Sequence, residues 1–293
     1  MAGPIPFSPE GCATIGGCLH WAVAALRPAT EAPRLEAEVL LARCIELPRT
    51  TLIAHPELAL TPAQIAMYRL QVEQRAAGTP LPYLVGEVEF FGLAFQVTPD
   101  VLIPRPETEL LLECVLAWLS AHPAAVAVDV GTGSGCIAVS LALHAPTIAI
   151  YATDISCAAL QVAAANAALH AVSAQIRFRR GDLLAPVPEP VDVILSNPPY
   201  IAEPDWDTLP ASVRREPRIA LLSGPDGLDA VRRLLRQAVT RLKPGGLLAL
   251  EIGETQGEAA ASLARAAFPE ACVRIVPDLA GKPRVLEVCL PPG

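Results

Sequence analysis

The sequence predicts an α/β fold: a doubly wound, mostly parallel sheet with an antiparallel C-terminal edge, preceded by a small N-terminal helical domain. Three observations carry this. From Pro106 onward, short apolar runs alternate with segments of helical period. The first such run opens into Asp129-Val130-Gly131-Thr132-Gly133-Ser134-Gly135, a glycine-rich turn at the carboxyl end of a strand. The first 85 residues show helical periodicity alone. The expected division is therefore a helical domain over 1–85, a β-hairpin linker over 86–105 and an α/β domain over 106–293.

In the helical region Ala37, Leu40, Leu41, Cys44 and Ile45 form one apolar stripe, with Glu36 and Glu38 read as its solvated face. Thr61, Pro62 and Gln64 spell a capping box, Ile65, Tyr68 and Val72 continue the period, and Gly78-Thr79-Pro80 stops it. Between Glu87 and Thr98 the period becomes two, with Val88 and Phe90 before Gly92 and Leu93, Phe95 and Val97 after it, which predicts a hairpin. Strands follow at 126–130, 148–153, 176–179, 191–195 and 247–252, and helices at 110–118, 137–143, 158–169, 228–242 and 258–267. Two final strands, 272–276 and 285–290, have no helix between them, so the sheet should end in an antiparallel hairpin.

Composition narrows the function. At 293 residues and 52% hydrophobic, the chain can bury a sizeable core, which excludes disorder as its main state. A net charge of -8 without a block of like charge excludes a broad footprint for duplex nucleic acid. The longest uncharged run, 130–153, contains Gly131, Gly133, Gly135, His144 and Pro146, unlike a lipid-facing helix. The first 26 residues hold one acid, Glu10, and no base, so no targeting segment is expected and the location is read as cytoplasmic. The eight cysteines, Cys12 among them, are scattered and read as small buried residues, and the five histidines are isolated. No metal site is expected.

The glycine turn lacks the G-x-G-x-x-G spacing of dinucleotide enzymes and the lysine of a P-loop. The next strand ends in Asp154, 23 residues past Gly131, where a carboxylate can accept from ribose hydroxyls. A third ends in Gly181-Asp182-Leu183, with an acid and an apolar side chain where an adenine would lie. Acids at three strand ends, with no basic residue beside them to hold phosphates, favour an adenosine bearing a positive group. S-adenosylmethionine, a sulfonium, fits that better than NAD or ATP. Asn197-Pro198-Pro199-Tyr200 directly follows a fourth strand. Methyl transfer to an amide or aryl amine requires the nitrogen lone pair to be aimed at the methyl carbon. The Asn197 side-chain oxygen and the Pro198 carbonyl can each accept one N–H, while Tyr200 can stack on the planar group.

Further segments carry a family likeness: Glu89 to Phe95, Val101-Leu102-Ile103-Pro104-Arg105-Pro106-Glu107-Thr108-Glu109, Glu216-Pro217, Asp226-Gly227-Leu228, Leu242 to Gly246, Glu251-Ile252-Gly253 and Asp278 to Gly281. With these the sequence resembles the PrmC/HemK group, the protein-(glutamine-N5) methyltransferases of peptide chain release factors. The resemblance implies a class I (Rossmann-like) methyltransferase domain and transfer from S-adenosyl-L-methionine, leaving S-adenosyl-L-homocysteine, to the glutamine of the Gly-Gly-Gln motif of class I release factors. It implies that Gly131, Thr132, Gly133, Ser134, Gly135, Asp154, Asp182, Leu183 and Asn197 contact the cofactor. Leu183 stands where the family often has an aromatic residue. Asn197, Pro198, Pro199 and Tyr200 would receive the glutamine, with Asn197, Pro198 and Tyr200 catalytic. The helical domain would dock the factor, and the protein is expected to be a monomer with no stable nucleic-acid or membrane partner. The rival reading is an N-methyltransferase acting on a base amine of RNA or DNA.

Overall fold

The computed structural model describes residues 13–123 and 125–293; Glu10, Cys12 and the rest of the first dozen residues of the expected helical domain lie outside them. The chain forms two units, one running through Gly86 and taking in Pro210–Arg215, the other made of Glu87–Leu209 and Glu216–Gly293.

The first unit is helical: α1 (Ile15–Leu26), α2 (Pro33–Ile45), α3 (Arg49–Ala54), α4 (Pro62–Ala76) and α5 (Leu81–Val85). The Thr61–Gln64 capping box starts α4 as its sequence dictates. Ala37, Leu40 and Leu41 of the α2 stripe are fully buried with Tyr68 and Val72, and the Tyr68 hydroxyl donates to the Ala37 carbonyl at 3.0 Å. Glu36 and Glu38 are not a solvated face. Glu38 is buried between Arg34 and Arg49, and Glu36 pairs with Arg75, both side chains largely covered. A carboxylate is tolerated there because a guanidinium reaches it; removing that partner would leave a buried charge.

The second unit opens with a hairpin, β1 (Glu87–Phe90) and β2 (Leu93–Gln96). Its two-residue turn, Phe91-Gly92, has positive φ at both positions, 52° and 71°, as a turn matching the strand twist requires. Expected as a linker, the hairpin instead packs within this unit, because Phe90 and Phe95 enter its core. Then come α6 (Thr108–Leu119), β3 (Val126–Val130), α7 (Cys136–His144), β4 (Ala149–Asp154), α8 (Cys157–Leu169), β5 (Ile176–Arg180), β6 (Val191–Ser196), α9 (Asp229–Ala238), β7 (Leu242–Glu251), α10 (Gly257–Ala267), β8 (Cys272–Pro277) and β9 (Pro283–Cys289).

The seven-stranded sheet has the order β5-β4-β3-β6-β7-β9-β8. Its first five strands are parallel, and β9 runs antiparallel to both neighbours. The closing pair is thus antiparallel, with the last strand lying inside and β8 at the edge. Alternate residues feed two cores: Val193, Leu195, Leu247 and Ala249 meet α6 and α7 on one face, while Ile194, Leu248 and Leu250 meet α9 and α10 on the other. Of the cysteines expected to be buried, Cys157 and Cys272 are exposed.

Two consequences are measurable. Gly135, at φ 79°, caps the start of α7, and a Cβ there would meet the Ala163 Cβ at 2.9 Å and its Cα at 3.0 Å. Gly135→Ala should destabilise the protein by about 1–3 kcal/mol in denaturant unfolding. Asp129 in β3 is wholly buried, which pushes its carboxyl up to about 7. The folded state therefore holds that proton more tightly than the unfolded chain, and the stability it contributes at low pH is lost as pH rises through about 7. Between about pH 4 and about pH 7 the wild type should lose more melting temperature than Asp129→Asn does.

Candidate active site

A cavity of about 370 Å³ opens at the carboxyl ends of the parallel strands. The fold brings there Gly131, Gly133, Asp154, Asp182, Leu183, Asn197 and Pro199 of the expected set.

The glycine turn is built on the end of β4. The Gly131 and Thr132 amides donate to the Thr153 carbonyl at 2.8 and 2.9 Å, and the Gly133 amide donates to Asp154 Oδ2 at 3.0 Å. Space is open where a Cβ on Gly131 would stand. The turn therefore presents bare backbone to the cavity. Asp154 Oδ1 accepts from the Ser156 amide at 2.8 Å, so each carboxylate oxygen keeps one lone pair for a ligand hydroxyl.

Thr132 and Ser134 face inward. Thr132 donates to Asp129 Oδ2 at 2.6 Å, and the Ser134 carbonyl accepts from Asn166 Nδ2, whose amide also holds both backbone groups of Gln96. Gly135 lies against α8. Pro198 is buried outside the cavity lining. Tyr200 is half-buried beside Glu251, and burial, then that carboxyl's charge, pushes its hydroxyl up to about 12. Asp182 is engaged by Arg233 and, at 3.4 Å, by Gln237, both from α9. Arg233 itself lines the cavity, so the expectation of no basic residue nearby is corrected; its charge is already matched by Asp182.

The Asn197 amide is polarised by its surroundings. Nδ2 donates to Thr108 Oγ1 at 3.0 Å, and Thr108 donates to Glu251 Oε2 at 2.6 Å. Asn197 Oδ1 is buried without a hydrogen-bond partner. Burial pushes the Glu251 carboxyl up to about 7 against the opposing pull of the Thr108 hydroxyl and Arg284.

The loop after β6 carries Ile219 into the lining. Glu216 anchors this loop by accepting from the Ile103 amide at 3.0 Å and from Arg105, so two motifs far apart in sequence meet here. Sequence reasoning gave no site role to Thr108, Glu251, Ile155 or Ile219. Ile155 had a signal: an apolar residue directly after a strand-end acid, 51% exposed on the cavity wall. Among the described residues no His, Cys, Asp and Glu cluster could hold a metal ion, and no helix is long and apolar enough to cross a membrane.

Comparison with known proteins matches two stretches of the chain. Residues 18–86 match the family described as the PrmC N-terminal domain, and residues 106–211 match the methyltransferase small domain. The hMettl16 catalytic domain in complex with MAT2A 3'UTR hairpin 6 superposes with a TM-score of 0.55 at 16% identity, over 77% of this chain and 81% of that one. The T. thermophilus 16S rRNA N2 G1207 methyltransferase RsmC, solved with AdoMet and guanosine, gives 0.50 at 17% identity, over 70% and 49%. At such identities these two speak for the fold. The release factor glutamine methyltransferase of Moorella thermoacetica is 49% identical over 255 residues, 87% of this chain and 90% of that protein. Identity at that level, spread across both units, means that the chain belongs to the release factor glutamine methyltransferase family.

Proposed function

We propose that the protein transfers the methyl group of S-adenosyl-L-methionine to the side-chain amide nitrogen of the glutamine in the Gly-Gly-Gln motif of class I peptide chain release factors, leaving S-adenosyl-L-homocysteine. The observation that carries the reading is the Asn197 amide. Its nitrogen is occupied by Thr108 and its oxygen is buried and unpartnered, on a residue that lines the cavity. A buried acceptor without a donor is costly unless a ligand supplies one, and a glutamine side chain offers two N–H groups.

The cavity suits the cofactor on its own features. The open side of Gly131 admits a ligand against the backbone, Asp154 has lone pairs left for ribose hydroxyls, and Ile155 and Leu183 supply apolar walls for an adenine. When bound, the sulfonium supplies an electrophilic methyl group. The protein's part is orientation: Asn197 Oδ1 and the Pro198 carbonyl each accept a hydrogen bond from one amide N–H and turn the nitrogen lone pair out of conjugation toward the methyl carbon; as the N–C bond forms the S–C bond breaks, and the nitrogen then releases one proton to water. Tyr200 is assigned to the planar face of the acceptor. In this reading the first unit docks the factor, which its exposed Met67 and Leu70 on α4 support, and the enzyme works as a monomer on protein rather than nucleic acid.

Incubation with labelled S-adenosylmethionine and, separately, release factor, tRNA, rRNA and DNA should place label on the factor's glutamine; label on nucleic acid alone would overturn the reading. Asn197→Ala should lower kcat by about 100-fold with cofactor affinity unchanged. Changing Met67 and Leu70 to Asp should raise KM for intact factor while leaving kcat on a short Gly-Gly-Gln peptide as it was; an unchanged KM would refute the docking role.

A further inference from the structure

Thr108, Glu251 and Asn197 come from three separate elements, the start of α6, the end of β7 and the turn after β6, and the first two side chains are almost wholly buried. A hydroxyl has one proton and two lone pairs. The Thr108 hydroxyl donates to Glu251 Oε2 at 2.6 Å, which leaves Oγ1 able only to accept. The group it accepts from, at 3.0 Å, is Asn197 Nδ2. An amide held by its nitrogen cannot turn its oxygen to the same partner, so Oδ1 points away from Thr108, where it is buried without a hydrogen-bond partner.

We infer that Thr108 and Glu251 are positioning residues for methyl transfer: Glu251, accepting through Oε2, fixes the direction of the hydroxyl proton, and the hydroxyl fixes which end of the Asn197 amide meets the acceptor. The inference rests on the reading of the acceptor as an amide whose N–H groups Asn197 receives. Without the carboxylate, the Thr108 hydroxyl is free to donate to Oδ1. Asn197 would then present Nδ2 to the substrate, setting donor against donor. Neither residue touches the reacting atoms, so their effect passes wholly through Asn197.

Kinetics with release factor separate this from a merely structural role. Thr108→Val keeps the shape and removes the hydroxyl; it should lower kcat by about 10-fold or more with KM and cofactor affinity little changed. Thr108→Ser, which keeps the hydroxyl, should restore most of the rate. In an Asn197→Ala background Thr108→Val should cost nothing more, because the group it orients is gone. A further loss there, or an undiminished kcat for Thr108→Val alone, overturns the inference. Should the wild type fail to methylate release factor, the acceptor reading falls, and a readout without substrate still decides the relay. The Asn197 side-chain amide protons, assigned in the 15N spectrum by their loss in Asn197→Asp, should exchange slowly in the wild type and rapidly in Thr108→Val and Glu251→Gln. Fast exchange in the wild type would also overturn it.

Discussion

The Asp154 carboxylate ties the ends of two parallel strands together, and the cavity depends on that tie. One oxygen holds the Gly133 amide after β3 and the other holds the Ser156 amide at the start of α8. Parallel strands run out of ladder partners together at their carboxyl ends, leaving amide groups that something must satisfy. Here a side chain does so, and the turn over it can open its backbone outward. The fully buried Asp129 below plays the matching part from inside, accepting from Thr132 so that the turn is held from both ends of β3 and β4. Binding surface and sheet edge are thus one construction, and a ligand that reaches Asp154 meets a group already oriented.

Much of this was legible in the sequence because it is local. The change of period from 3.6 to 2 marks the hairpin, and the run from Asp129 to Gly135 encodes its own turn through glycines at positive φ. Asp154 and Asn197 could be placed because each directly follows an apolar strand. What escaped is carried by register between distant segments. Thr108 reads as an ordinary residue of a first helical turn and Glu251 as a strand-end acid; that they meet across 143 residues follows from the pairing of β6 with β7 and the packing of α6 on both, which periodicity does not encode. The same blindness applies to charges. Glu36 looks solvated until Arg75 reaches it from α4, and Arg233 looks like part of a surface patch until it meets Asp182.

Around the cavity, paired charges stand beside several buried oxygens without a hydrogen-bond partner, among them Asp129 Oδ1, Ser134 Oγ, Glu251 Oε1 and Asn197 Oδ1. Asp182 and Arg233 neutralise each other, and Thr132 serves Asp129. Of the residues that carry these oxygens, Asn197 is the one that lines the cavity, an acceptor facing no donor. In the proposed function, selectivity comes from hydrogen-bond complementarity as well as shape, since an acceptor lacking an N–H would leave that oxygen buried and unsatisfied.

The placement of β9 bears on how the enzyme comes into being. It follows β8 in sequence, yet it lies between β7 and β8, and Val285 pairs with Glu251 at the inner end of the proposed relay. During translation the glycine turn and Asp154 leave the ribosome more than a hundred residues before β9 does, and until then β7 has an open edge where its antiparallel partner belongs. A nascent chain thus carries the glycine turn and Asp154 well before it can hold Glu251 in register. Pairing of β9 with β7 is thus the step that gives Glu251 its cross-strand neighbour Val285, so chains truncated before Pro283 keep the glycine turn but lose the strand that holds Glu251 in register.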